Sequence, residues 1–219
     1  MTTSLPFAIY RRQRAARARL HNFLLRRRLK QHTDFSYTTD YVSAHVDNWM
    51  RWLGAWRGQP GLRILEIGSY QGRSAVWFLQ NILIDPTATL DCIDLFTYAG
   101  LEPRFDHNVK LTGRASQINK HKGRSEDILP RLSEAHFNAI YVDGSHRAAD
   151  VLMDAMLSWR LLKAGGVMFF DDYLWRMDLP PAERPHMAVD LFLKAHSNDL
   201  EVIHHDYQVA VRRRPASSS

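Results

Sequence analysis

Arg63-Ile64-Leu65-Glu66-Ile67-Gly68-Ser69-Tyr70-Gln71-Gly72-Arg73-Ser74 opens as an apolar run, carries one carboxylate near its end and passes through two glycines into a helical pattern. A strand, a glycine turn and a helix N-terminus together make the usual cradle for a nucleotide. The two glycines stand four residues apart and do not give G-x-G-x-x-G, and Arg73 follows Gly72 where a phosphate-binding loop has lysine. Glu66, two residues before the first glycine, would sit close to a bound pyrophosphate and repel it.

A ligand without phosphates escapes that repulsion. S-adenosylmethionine carries an amino acid, a sulfonium cation and an adenosine, and its positive end tolerates a carboxylate. A strand-borne acidic residue followed by G-x-x-x-G resembles the first motif of the class I S-adenosylmethionine-dependent methyltransferases. The resemblance implies that Glu66, Gly68, Ser69 and Gly72 hold that cofactor. A tight strand-to-helix turn with no ligand is the alternative for the two glycines alone.

Outward from this stretch, strands and helices alternate. A strand over 63–68 leads to a helix over 73–83, and a strand over 89–96 to a long connection over 97–117. A strand over 118–123 precedes a short helix over 125–132. A strand over 137–143 precedes a helix over 148–163, stopped by Gly165-Gly166. Next come a strand over 167–171, a Pro-rich loop and a helix near 186–196. Two closely spaced strands over 200–205 and 208–212 end the pattern. This alternation predicts an α/β fold, a doubly wound Rossmann-like, mostly parallel seven-stranded sheet with an antiparallel terminal hairpin. A reversed last strand also belongs to the methyltransferase sheet, so the resemblance covers about residues 40 to 213.

Upstream, Val42, Val46, Trp49, Leu53 and Trp56 mark one stripe of a helix starting after Thr38 or Thr39 as N-cap. The tryptophans Trp49, Trp52 and Trp56 read as core, with a substrate pocket as the rival use. Residues 7 to 30 read as an Arg-rich helix. The chain thus divides into a basic arm (1–33), a helical segment (34–60), the methyltransferase domain (61–213) and a disordered tail (214–219).

The chain has 219 residues, a length for one domain, with 45% hydrophobic content and a formal charge of +6. Nine basic residues and no acidic one precede Asp34, which leaves 20 basic against 23 acidic residues, a balance of −3, for the rest. The body therefore does not advertise a polyanionic substrate, and nucleic acid is not an expected partner. Three uses compete for the arm: an anionic membrane surface, a partner subunit (a second copy included) and a mitochondrial presequence. No apolar run reaches membrane-spanning length and no secretory h-region opens the chain, and the single Cys92 suits a reducing compartment. Cytoplasmic residence is expected, or the mitochondrial matrix if the arm is a presequence.

In open α/β sheets ligands bind beyond the carboxyl ends of the strands. Asp94 ends the second strand, where its carboxylate can accept both ribose hydroxyls of an adenosine or stand solvated. Ser125, after the third, sits at the adenine position but is also a good N-cap. Tyr141-Val142-Asp143-Gly144-Ser145-His146 and Phe169-Phe170-Asp171-Asp172 close the fourth and fifth, which should be neighbours. Asp143, Asp171 and Asp172 supply three oxygen donors suited to Mg²⁺, and His146 can take a proton near neutral pH. Capping roles for Asp143, Asp172 and His146 are the bland alternative. His204-His205-Asp206 is a second metal candidate, weighed against a surface or core role.

Asp-Gly-Ser-His, then a helix, Gly-Gly and an acidic pair resembles the metal-dependent O-methyltransferases that act on antibiotic sugars and related secondary metabolites. That resemblance implies Mg²⁺ on Asp143, Asp171 and Asp172 and His146 as catalytic base. The first member of the pair is commonly Glu there and is Asp171 here, which shortens its reach by one methylene. The expected acceptor is a small hydroxylated molecule, with Tyr98, Phe105, Tyr173 and Trp175 as an apolar wall and Arg104, Arg147 and Arg176 as anion contacts. An RNA methyltransferase using the arm, and a non-catalytic protein with a methyltransferase-like core, are the rival functions.

Overall fold

The computed structural model describes residues 34 to 215, so the expected Arg-rich helix and the last four residues lie outside the described residues. Five parallel strands form the centre: β1 (Arg63–Ile67), β2 (Thr89–Asp94), β3 (Ile118–Lys122), β4 (Phe137–Val142) and β5 (Leu162–Phe170). Two more, β6 (Leu200–His205) and β7 (Val209–Arg213), form an antiparallel hairpin joined to β5 through β7. The order of the seven-stranded sheet is β3-β2-β1-β4-β5-β7-β6. It reverses direction of winding between β1 and β4, the place where an open α/β sheet leaves a crevice.

Because side chains alternate along a strand, each central strand feeds two cores. Ile64, Leu90, Cys92, Ala139, Tyr141 and Phe169 face helices α1 (Val46–Leu53), α2 (Arg73–Asn81) and α3 (Leu101–Leu111). Leu65, Ile67, Ile93, Ile140, Val142, Met168 and Phe170 face α4 (Ser125–Ile128), α5 (Ala148–Trp159) and α6 (His186–Ala195). Trp49 is fully buried at the centre of the first core, its ring 5.0 Å from Phe78, 5.1 Å from Tyr141 and 5.2 Å from Trp77. The tryptophan stripe is therefore core.

Three boundaries differ from the expected ones. Thr38 does not cap a helix, because its N–H and hydroxyl are taken by the Gln71 amide, and α1 begins only at Val46. Asp40 Oδ1 instead accepts from the N–H groups of Val42 and Ser43 to close the intervening turn. The connection over 97–117 contains α3, which begins after Gly100 and buries Leu101, Phe105 and Val109 on one face. Finally, α5 ends at Trp159, not beside Gly165-Gly166. Arg213 on β7 donates to the carbonyls of Trp159 and Leu162 (3.1 and 2.5 Å) and so satisfies the helix end. The glycine pair lies inside β5, at a shift of register against β4, where a Cβ on Gly166 would stand 2.8 Å from the Lys163 carbonyl.

Candidate active site

The C-terminal ends of β1, β2, β4 and β5 open into one cavity of about 1440 Å³. That exceeds the ~300–1,000 Å³ of a single small-ligand pocket and suits two occupants. Of the expected site residues, Gly68, Asp94, Ser125, Asp143, His146, Asp171 and Asp172 all line it. Ser69 lines a small recess beside it, while Glu66 and Gly72 lie beneath the surface.

Gly68 has φ +93°, and a Cβ there would stand 2.1 Å from the Asp143 carbonyl oxygen, so the turn after β1 passes against the turn after β4 with no room for a side chain. Gly72, at φ +75°, precedes the first residue of α2. Asp94 ties this turn to the end of β2, accepting from the Tyr70 N–H through Oδ2 and from the Phe96 N–H through Oδ1, both at 2.7 Å. Tyr70, Phe96, Asp172 and Arg176 hold positive φ between 44° and 56° without being glycine. Each such residue costs about 1–3 kcal/mol, and all four sit on or beside the cavity wall, as strain at functional sites does.

Glu66 is wholly buried, and burial pushes its carboxyl up to about 7, against the opposing pull of Ser69, Ser74 and Cys92. Its Oε2 accepts from the Cys92 thiol at 3.6 Å, while Oε1 has no hydrogen-bond partner. Asp154, on α5, lines the cavity near Ser125. Burial raises its carboxyl to about 6, opposed by the Ser125 hydroxyl, so Ser125 bonds a side chain and is not an N-cap.

Asp143 and Asp171 meet across neighbouring strands at one phenol, Tyr141 Oη lying 2.6 Å from Asp171 Oδ2 and 3.0 Å from Asp143 Oδ2. A phenol has one proton. Both contacts are satisfied when Tyr141 donates to Asp171 and Asp143 carries a proton of its own. Burial first, and then the charges of Asp171 and Asp172, raise the Asp143 carboxyl well above its ordinary value, in keeping with that proton. Asp172 accepts from His146 Nε2 at 2.8 Å and from the Tyr207 hydroxyl. Burial raises the Asp172 carboxyl, but these two hydrogen bonds together with the nearby charges of His146 and His45 hold it below its ordinary value. The hydrogen bond to Asp172 in turn raises His146, whose ring lies tilted with its centroid 4.3 Å from that of Trp175.

Sequence reasoning assigned no role to Tyr141 or Tyr207 and missed His45. His45 Nε2 lies 3.7 Å from Asp171 Oδ1, its ring stacked on Trp49 and Tyr207. Its partners come from three separate elements, so no local pattern marks it. Of the expected acceptor wall, Tyr98, Trp175 and Arg176 line the cavity. Phe105 and Tyr173 are buried instead, Phe105 against Gly72 and Phe96, Tyr173 stacked on His186. Arg104 and Arg147 are not in its lining. His204 packs on Trp52 and His205 on Tyr173, which separates the second metal candidate.

In donor chemistry, Asp143, Asp171 and Asp172 fit a hard divalent cation. Among the described residues, no Lys or Arg pairs with any of them, the ion-pair partners being His45 and His146. In arrangement, their oxygens are turned to Tyr141, His146, Tyr207 and the Asp172 N–H, and no three His, Cys, Asp or Glu side chains among the described residues converge as a cage. A cation would have to exchange those hydrogen bonds for coordination.

Residues 65–173 match a family model described as a methyltransferase domain. An uncharacterized protein of Acanthamoeba polyphaga mimivirus is 31% identical over 129 residues, 55% of this chain and 57% of the relative, so the chain spans little more than half of that relative's length. The O-methyltransferase TomG from Streptomyces achromogenes, involved in tomaymycin synthesis and solved with SAM, is 22% identical with a TM-score of 0.65 over 84% of this chain and 86% of its own. MycE methyltransferase from the mycinamycin biosynthetic pathway, solved with Mg and SAH, is 16% identical with a TM-score of 0.62 over 86% of this chain and 55% of its own. At these identities the structural likenesses show the fold.

Proposed function

We propose that this chain, whose residues 65–173 match a methyltransferase domain, is a class I S-adenosylmethionine-dependent methyltransferase that methylates a hydroxyl of a small acceptor in the cavity, with His146 as general base. The observation that carries this reading is the His146–Asp172 pair. The ring is held at 2.8 Å by a carboxylate and keeps 42% of its side chain exposed at the cavity. An ionised Asp172 can only accept, so it fixes the tautomer with the proton on Nε2 and leaves Nδ1 free to take a proton. When bound, the cofactor supplies an electrophilic methyl on a sulfonium and leaves as S-adenosylhomocysteine. As the oxygen–methyl bond forms, the acceptor proton passes to Nδ1, and Asp172 stabilises the imidazolium.

The lining supports a neutral or cationic acceptor rather than a phosphate chain. Arg124 and Arg176 are already paired with Glu126 and Asp178, at 2.7 and 3.0 Å, while Asp143, Asp171 and Asp172 face the same space. Asp143, Asp171 and Asp172 are the residues to hold a divalent cation, which would supply a lowered pKa at the acceptor hydroxyl. What supports this part is that the three carboxyls line one cavity and, among the described residues, have only His45 and His146 as ion-pair partners.

The test is S-adenosylhomocysteine release from S-adenosylmethionine with hydroxylated acceptors such as catechols and hexoses. Loss of His146 should lower turnover by about 10²–10⁴. His146→Ala turning over like the parent chain would refute the base assignment, and full activity in EDTA and in Asp143→Ala would refute the cation.

A further inference from the structure

The two aspartates that follow β5 are held in the same manner, one oxygen of each carboxylate beside a histidine and the other beside a phenol. Asp171 has His45 Nε2 3.7 Å from Oδ1 and Tyr141 Oη 2.6 Å from Oδ2. Asp172 has His146 Nε2 2.8 Å from Oδ2 and the Tyr207 hydroxyl on Oδ1. Tyr141 is buried in the sheet, whereas Tyr207 lines the cavity together with His146 and Asp172. Tyr207 comes from the turn between β6 and β7, beyond residue 173, where the family-model match ends.

Backbone and ring both anchor this phenol. The Tyr207 carbonyl accepts from the Tyr173 N–H at 2.9 Å, which ties the hairpin turn to the residue after Asp172. Within the turn, the Asp206 N–H donates to the carbonyl of the buried Gln208 at 3.0 Å. The Tyr207 ring stacks on His45, with centroids 6.0 Å apart and planes at 15°, and the buried His45 is stacked in turn on Trp49 of the first core. The hydroxyl is thus delivered to Asp172 by two elements, the hairpin and the segment that leads into α1.

Asp172 needs such a hold. Its φ of +56° is a strained, left-handed conformation for a non-glycine residue. Asp171 Oδ1 takes the Asp172 N–H at 2.8 Å, which secures the backbone but not the carboxylate. The terminal torsion of an aspartate has broad wells, so one hydrogen bond to His146 leaves the carboxylate plane loosely set. A second donor on Oδ1 fixes that plane and, with it, the direction from Oδ2 to the imidazole. A base aimed by a carboxylate that is itself aimed by a third group is the arrangement that proton transfer from a hydroxyl requires.

We propose that Tyr207 is a positioning residue for the base: its hydroxyl holds Asp172 Oδ1, which keeps Oδ2 on His146 Nε2 and turns Nδ1 toward the acceptor. This rests on the reading of His146 above. The terminal hairpin then serves the reaction as well as the sheet, and the His146–Asp172 pair becomes a chain of three completed from outside the family-model match. A hairpin anchor alone would matter equally with or without His146, whereas a positioning residue acts only through it.

The experiment is a double-mutant cycle on the full chain, read as S-adenosylhomocysteine release with the acceptor that serves in the test above. Tyr207→Phe keeps the ring and its stacking on His45. In the parent chain it should lower kcat about tenfold, the loss typical of removing a group that orients another side chain, with acceptor KM changed by no more than about twofold. In His146→Ala it should cost nothing further. An unchanged kcat, or the same loss in both backgrounds, overturns the proposal, while a His146→Ala chain as active as the parent overturns the base assignment instead. A second measurement needs no acceptor. In NMR spectra of the chain labelled with ¹⁵N-histidine, a His146 Nε2–H held against exchange by Asp172, assigned by its absence in His146→Ala, should be lost in Tyr207→Phe; its persistence there overturns the proposal.

Discussion

Glu66→Gln removes a titratable group from beneath the turn after β1 while keeping shape and volume, and it should change how stability depends on pH. Glu66 is fully buried, in register with Cys92 on β2 and Tyr141 on β4, and burial moves its carboxyl from 4.5 to about 7. The folded-state value lies above the unfolded one. Between those two pH values the folded chain keeps a proton that the unfolded chain has lost, so stability present below pH 4.5 disappears as pH rises to 7. At 1.36 kcal/mol per pH unit the interval is worth about 3 kcal/mol, about 2.5 of it between pH 5 and pH 8. Gln does not titrate, and the other raised carboxyls, Asp143 and Asp154, are common to both chains. Urea unfolding of the two proteins at pH 5, 6, 7 and 8, without cofactor, reads the difference directly. Glu66→Gln should gain on the parent chain by about 2.5 kcal/mol across that range. Parallel profiles, or a gap that closes as pH rises, would refute the burial argument.

Trp49→Ala should cost about 3–5 kcal/mol in the same unfolding assay, because it empties the centre of the first core; a loss under about 1 kcal/mol would mean that the core collapses around the gap. Gly68→Ala combines a left-handed backbone with a Cβ 2.1 Å from the Asp143 carbonyl, so a loss of about 3 kcal/mol or more is expected, with cofactor binding lost alongside. Turnover should fall on acidification through a pKa above 6.5, since His146 is raised by Asp172 and acts only when neutral; a profile flat from pH 6 to 9 would contradict that role.

The doubly wound sheet was legible because strand periodicity and glycine turns are local signals, and the observed order and terminal hairpin agree with it. The α3 helix was missed, because Pro103 and the polar remainder obscured the spacing of Leu101, Phe105 and Val109 that marks its buried face. Proline in a first helical turn is no obstacle. The end of α5 was not legible, since its stop is Arg213, 54 residues away from Trp159 in sequence. Within the site, strand-end aspartates announced themselves by position. His45 and Tyr207 did not, because each acts through a contact with the acidic pair that exists only after α1 and the hairpin have packed beside β5. The anchoring of Thr38 on Gln71 and of Ser36 on Asn108 escaped for the same reason, the partners being 33 and 72 residues away.

The central claim, a phosphate-free cofactor on the Gly68–Gly72 turn, is tested most directly by titrating the purified chain with S-adenosylmethionine and, separately, with NAD. Saturable binding of S-adenosylmethionine, lost in Gly68→Ala, with no heat from NAD, is the predicted result. Binding of NAD without S-adenosylmethionine would contradict it.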